Sequence, residues 1–348
     1  MYRIYFPLDH EIYPPDEEDR RPEPDENASW ELHFAHHLKE NLPDCEIEYF
    51  WPTTGERLEI KDLDIDVEWP DWMSRVHTMY MLIAQMERGQ YIILDSQDEI
   101  TNFTKLLWKD PSCLRIYAGQ YNLERYENYD PPFHKLRPGI YWPYRPLSFT
   151  KEVMDEIRET RLELSLNRKL DTKVHFYGNN SENYVVGTWN GYRGPKNREV
   201  LDVLQTLYPD EVDVGSTDKM LPLLEFYKKS ATHMINLALP GHPWCSREHE
   251  LWHLGLPVMK YEARHELFLP VQANVHYIGV PSVLRWPHEP AINPEVAAHS
   301  IMKVHKEWIQ HPVEVEEIGR KGGERAMNNT PWKFAEIFKN TVMEVLGT

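Results

Sequence analysis

Cysteine is scarce in this chain, with three in 348 residues, at Cys45, Cys113 and Cys245. They are odd in number and far apart, which excludes a disulfide framework and offers no zinc-ligand spacing; such usage fits a reducing cytosol. No run of 18 apolar residues occurs, so no transmembrane helix is expected. The opening stretch, Met1-Tyr-Arg-Ile-Tyr-Phe-Pro-Leu-Asp-His10, is short, mixed and ends in charge, so it does not read as a signal peptide. Internal repeats and long low-complexity tracts are also missing. Positive charge is in deficit: 38 Lys+Arg face 56 Asp+Glu, a formal net charge of -18. Residues 1–150 hold 29 acidic against 15 basic side chains, a net of -14, and the remainder 27 against 23, a net of -4. A nucleic-acid face needs clustered Lys and Arg to replace counterions, and the N-terminal half shows the opposite.

What is present suffices for folded cores: 41% hydrophobic residues, 12% of the chain aromatic, and a length that fits two domains. Residues 2–6 read as a first strand, followed by an acidic, proline-rich loop around residues 13–24 that can be neither helix nor central strand. A helix is expected from Ser29, with Trp30, Phe34, Ala35 and Leu38 on one face. Strands are expected at 45–51 and at 63–69, where Leu63, Ile65, Val67 and Trp69 alternate with acids. A helix over about 72–88, the strand Tyr91–Leu94, a helix over about 100–109 and the strand Cys113–Tyr117 follow. Such alternation predicts an α/β domain with a largely parallel sheet. Residues 128–148, rich in proline and aromatics, read as a linker, closed by a helix near 149–165. A second series then runs through a strand at Val174–Gly178, a helix over 197–207, a strand at 212–214, a helix over 219–230, the strand 233–239, a helix over 246–254 and a strand at 257–260. The helix 294–310 and a terminal helix complete the chain, the latter with Thr330 as N-cap, Pro331 at its first position and a stripe of Phe334, Phe338, Val342 and Val345.

The most specific stretch is Leu237–Lys260, which reads strand, Gly-Pro-flanked turn, helix, Gly255, strand. The turn delivers a helix N-terminus carrying Ser246 and Arg247. Unpaired N–H groups and partial positive charge there suit a phosphate, and the Arg247 fork can grip two of its oxygens. Gly255 fits a left-handed C-cap. Asp95 and Asp98 follow an apolar strand, where open α/β sheets place ligands, and Asp9 and His10 follow the first strand. Each feature has a plainer alternative. Arg247 could be a surface ion pair, and the loop holding Arg193 and Arg198 could be solvated. Asp95-Ser-Gln-Asp-Glu99 could cap the helix starting near Ile100, and Glu248 or Glu250 could hold a ribose or face solvent. His249 and His253 lie four apart as metal ligands can, but no third ligand is evident, and His36-His37 read as structural.

Gly241, Cys245-Ser246, Arg247, then Gly255 before Pro257-Val-Met-Lys260, resemble the C-terminal domain of GT-B glycosyltransferases, most closely glycosyltransferase family 90, which includes capsule- and lipopolysaccharide-modifying and protein O-glucosyltransferases. Glu266, Pro270 and His276-Tyr-Ile-Gly-Val280 are similar to the family's next strand, and Lys173–Gly178 with Arg193, Lys196 and Arg198 to its opening. The segment Val304–Arg325 is similar to the general GT-B tail. The resemblance covers residues 172–346, and it departs at Cys245, where the family has serine.

The resemblance implies an α/β fold of GT-B type: two Rossmann-like domains facing across a cleft, with the C-terminal helix packing back on the N-terminal domain. The expected organisation is an acceptor-side domain at 1–148, a linker helix at 149–171, a nucleotide-sugar domain at 172–328 and a returning helix at 329–348. It implies a glycosyltransferase with a nucleotide-sugar donor, UDP-sugar foremost, held by Arg247, Ser246, Arg193, Arg198, Gly178, Gly241 and Glu250. Asp95 and Asp98 are the candidate catalytic carboxylates. No cofactor and no metal are expected, because cationic side chains and a helix N-terminus neutralise the departing diphosphate. The acceptor is a hydroxyl on a glycan, a protein or a small molecule. Two alternatives stay open: a viral enzyme glucosylating a modified DNA base, disfavoured by the -14 balance of residues 1–150, and a non-catalytic nucleotide-sugar-binding module. A cytoplasmic location, or a host's cytoplasm for a viral chain, is expected.

Overall fold

A computed structural model describes residues 1–8, 29–51, 57–68, 80–96, 102–119, 121, 132–140, 151–176, 194–215, 222–239, 246–262, 266–281 and 293–347. The chain divides into two compact units: Met1–Leu147 with His265–Pro270 and Asn328–Thr348, and Ser148–Arg264 with Val271–Met327. The acidic loop, most of the 128–148 segment, Asp9, His10, Asp98, Gly178, Arg193 and Gly241 lie outside the described residues.

The first unit comprises β1 (Tyr2–Pro7), α1 (Trp30–Asn41), β2 (Cys45–Phe50), β3 (Arg57–Ile60), β4 (Ile65–Glu68), β5 (Tyr80–Gln85), β6 (Gln90–Asp95), α2 (Asn102–Leu107), β7 (Cys113–Ala118) and β8 (Leu136–Pro138). Its main sheet runs β2-β1-β5-β6-β7-β8. The expected α/β class holds, but the sheet is mixed: β5 is antiparallel to both β1 and β6. The helix expected over 72–88 is therefore overturned, because residues 80–85 are a central strand. Met81 and Ile83 enter one core while Leu82 and Ala84 enter the other. A strand buried on both faces reads as an unbroken apolar run, which periodicity cannot separate from a buried helix. The strand expected over 63–69 starts later, at Ile65, after a 3-10 turn at Lys61–Leu63. It pairs antiparallel with β3 and keeps Asp64 and Asp66 exposed.

Helix α1 starts where its sequence says. The Ser29 side chain accepts from Leu32 N–H at 3.2 Å, satisfying one orphan donor. The stripe Trp30, Phe34, Ala35 and Leu38 is buried. It meets the terminal helix, Pro331–Gly347, whose Phe334, Phe338 and Val342 are also buried. Phe34, Phe334 and Phe338 stand 5.3–6.0 Å apart by ring centroid, and Trp30 Nε1 donates to the Asn329 carbonyl at 3.0 Å. Phe268 completes this aromatic cluster, 5.4 Å from Phe334.

The second unit comprises α3 (Lys151–Leu166), β9 (Asp171–Phe176), α4 (Gly194–Leu207), β10 (Val212–Val214), α5 (Leu223–Ala231), β11 (His233–Leu237), α6 (Ser246–His253), β12 (Val258–Tyr261), β13 (Ile278–Val280), α7 (Pro294–Trp308) and α8 (Pro312–Met327); the terminal helix is α9. Every strand pair in its sheet is parallel, in the order β10-β9-β11-β12-β13. Crossovers thus leave β9 in one direction and reach β11 in the other. That reversal makes a switch point between β9 and β11, where doubly wound sheets place ligands beyond the strand C-termini. Leu201 and Leu204 of α4, with Ala298 and Ile301 of α7, fill the core against β9, β11 and β12.

Helix α8 has no counterpart among the expected elements, because Gly319, Gly322 and Gly323 interrupt its pattern. Packing explains two of them. A Cβ at Gly319 would lie 2.6 Å from the Gly255 carbonyl, and one at Gly322 would lie 2.6 Å from Trp252 Cδ1. Helix propensity is given up so that α8 can press against α6 and its C-terminal turn.

Candidate functional site

The β11–α6–β12 segment is built as a rigid mount. Strands β11 and β12 are parallel neighbours, with Leu237 opposite Met259, and α6 is their crossover. It opens at Ser246 and carries Arg247 in its first turn. The side chains of these two residues lie outside the described set. The far end of α6 closes as the glycine suggested. Gly255 has φ +71°, its N–H donates to Trp252 O at 2.7 Å, and Leu256 N–H reaches Leu251 O at 2.9 Å. These are the paired bonds of a Schellman turn. Arg158 of α3 donates to the His253 carbonyl, adding a cation at the negative end of the helix.

Between the two ends, α6 is pinned by charge. Glu248, fully buried, pairs with buried Lys260 of β12 at 2.7 Å. This removes Glu248 from the ribose or solvent roles its position allowed; Glu250 stays half-buried. His249 and His253 are buried inside the unit, and His249 meets Trp252 edge-on at 5.2 Å. Burial, with the charges of Arg325 and Arg158 nearby, pushes His253 down to about 4 and holds His249 well below the usual range. Both rings are therefore neutral at physiological pH.

Arg198 lies within α4, which begins at Gly194, three residues before its expected start. The Gly194-Pro195 pair opens that helix rather than a solvated loop, as suits proline at a first turn. Arg198 Nε is 3.8 Å from Asp202 Oδ2, one turn on, with both side chains well exposed. In the first unit, Asp95 ends β6 and is only 1% exposed. Its carboxylate accepts from Thr104 Oγ1 of α2 at 2.6 Å, and its carbonyl accepts from Gly119 N–H at 2.7 Å.

Sequence reasoning missed several polar groups. Arg161 of α3 is buried and pairs with Glu316 of α8 while donating to the carbonyls of Ala231, His233 and Met234. His175, Asp213 and His233, from three adjacent strands, form a compact group in which one nitrogen or oxygen atom of each lies within 4.8 Å of the other two. No spacing announces it; only the pairing of Asp213 with His175 and the bulge after His233 bring the three together. No helix among the described residues is long and apolar enough to cross a membrane.

No protein-family model matches the sequence, and no curated protein sequence resembles it significantly. Among solved structures, a sucrose-phosphate synthase from Thermosynechococcus elongatus is similar at 13% identity with a TM-score of 0.38, over 70% of this chain and 60% of that one.

Proposed function

We propose that the second unit binds a nucleotide-sugar through its diphosphate at the first turn of α6, and that the chain transfers the sugar to a hydroxyl of a glycan, protein or small molecule. The observation that carries this reading is topological. The two segments that sequence analysis singled out, Gly178 to Arg198 and Gly241 to Arg247, follow β9 and β11, the strands flanking the switch point. Backbone N–H groups at the start of α6, with Ser246 and Arg247, neutralise the diphosphate, and Arg193 and Arg198 add charge from the β9 side. Glu250 takes the ribose, since Glu248 is occupied by Lys260. UDP is the foremost nucleotide, and no metal is needed for its departure. The hydrogen bond buried at Asp95 gives that carboxylate a structural task, so Asp98, with Asp9 and His10 behind it, is the preferred acceptor base.

The experiment is a melting-temperature screen of the whole chain against nucleoside diphosphates and their sugars, with sulfate as a plain anion control. At 100 times Kd, a bound nucleotide adds about 2.7 kcal/mol to the unit that holds it. UDP or another nucleoside diphosphate should raise the transition where sulfate does not, and Arg247→Ala should abolish the rise. A flat response to every nucleoside diphosphate sinks the proposal. Binding without release of free sugar or transfer product, in wild type as in Asp98→Ala, identifies a binding module instead.

A further inference from the structure

The cluster on β9, β10 and β11 makes no contribution to the function proposed above. His233 begins β11, whereas His175 is next to last in β9 and pairs with Asp213 in the middle of β10. His175 and His233 are buried, and their rings stack at 4.2 Å and 14°. Among the described residues, neither ring nitrogen of His175 has a hydrogen-bond partner, and neither has Nε2 of His233. Buried imidazole nitrogens without partners call for an unseen one.

The local geometry says what that partner is. Nδ1 of His233 lies 3.1 Å from the Lys229 carbonyl and 3.2 Å from Thr232 Oγ1. In the tautomer that donates from Nδ1 to the carbonyl, Nε2 turns its lone pair toward Asp213 Oδ2, 3.1 Å away. That tautomer suits a cation held between the two atoms. His175 Nδ1 is 3.7 Å from the same oxygen, and Asp171 Oδ2 is 3.6 Å from His233 Nε2. Ligand atoms about 2.1 Å from a tetrahedral ion lie about 3.4 Å apart, and these separations bracket that edge length. The supports are those of a metal site. The Lys229 carbonyl lies within reach of His233 Nδ1, and Arg161 holds the carbonyls around the bulge. Lys229 Nζ sits 2.9 Å from Asp213 Oδ2; it is 38% exposed, so it fills part of the cation's place and can swing away.

We propose that His175, Asp213 and His233 bind one divalent ion of the zinc class that ties strands β9, β10 and β11 together. The expectation of no metal concerned the departure of the diphosphate, whereas these ligands meet only through sheet register. Imidazole ligands select zinc, cobalt and nickel over magnesium and calcium.

The test uses the full chain, stripped by a chelator and titrated with Co²⁺, read by its visible absorption and by calorimetry. One Co²⁺ per chain with a tetrahedral spectrum, displaced by Zn²⁺ and not by Mg²⁺, is expected, together with a rise in melting temperature. Asp213→Asn and His233→Ala should each weaken binding at least about tenfold. Lys229→Met keeps all three ligands and removes the competing ammonium; it should bind more tightly than wild type, and it keeps the test open if the ligand variants fail to fold. The absence of stoichiometric binding in both wild type and Lys229→Met overturns the proposal. So does binding that survives Asp213→Asn and His233→Ala unchanged.

Discussion

Carbon closes the core of the first unit: Phe34, Phe268, Phe334 and Phe338 lie between α1, α9 and the sheet. In the second unit, the layer made by α6 and α8 buries Glu248, Lys260, His249, His253 and Arg325. Both units wrap helices around a sheet and both bury ionisable groups, Glu31, Asp95 and Lys135 in the first; the second differs in gathering its buried charges, Glu248, Lys260 and Arg325, around one helix. Burying ions costs several kcal/mol each before their attraction repays it, so replacement by apolar residues is often neutral or stabilising. A unit that keeps such a network where α6 is mounted gains a fixed helix position rather than stability. That fits the proposed role of α6, whose first turn must hold still to act on a departing diphosphate.

The strongest challenge to this contrast is Lys260→Met. It leaves the Glu248 carboxylate buried opposite a thioether, and a broken buried pair costs about 3–5 kcal/mol. The double variant Lys260→Met with Glu248→Gln should recover most of that loss. Chemical denaturation of the four proteins measures both. A single-variant loss under 1 kcal/mol would mean that the pair does not hold α6.

Next in size are two pH responses of opposite sign. Glu31 in the first unit is fully buried and pushed up to about 7 from 4.5, so its contribution is complete below pH 4.5 and is lost as pH rises through 7. His253 in the second unit is depressed from 6.5 to about 4, so its contribution is present above pH 6.5 and is lost as pH falls through 4. Each shift corresponds to about 3 kcal/mol across its window. Moving from pH 8 to pH 5 should strengthen the first unit and weaken the second. Calorimetry of wild type against Glu31→Gln and His253→Gln isolates each term, and parallel pH slopes in wild type and variant would refute the assignment.

Legibility in the sequence follows the same division. Where a helix has one wet face and a cap, as in α1 with Ser29 or α9 with Thr330-Pro331, composition and spacing state the outcome. In Leu237–Lys260 the helix, the left-handed glycine and the strand are readable for the same reason, since each leaves a local mark; the turn before them lies outside the described residues. What could not be read is set by partners distant in sequence. Strand β5 is buried on both faces and hides its period, α8 trades propensity for contact at Gly319 and Gly322, and Glu248 looks like any helix carboxylate until β12 brings Lys260 beneath it. The His175, Asp213 and His233 group is the extreme case, since register alone assembles it.

The smallest effects sharpen the contrast by removing the core from it. Gly89 in the β5–β6 turn has φ +61°, Gly255 has φ +71°, and a Cβ at either would meet nothing within 4 Å. Alanine at each position should therefore cost only left-handed strain, about 1–2 kcal/mol. Asparagine, which tolerates this conformation, should cost less. Because no packing is touched, the two sites should respond alike although one lies beside a carbon core and the other beside a charged one. Denaturation of Gly89→Ala and Gly255→Ala, read on each unit's own transition, makes the comparison. A much larger loss at Gly255 would show that the C-terminal turn of α6 also sets the buried network, for the Gly255 carbonyl lies directly against Gly319 of α8. In that event the charged interior and the helix mount form one cooperative element, and Lys260→Met combined with Gly255→Ala should cost less than the sum of the two single losses.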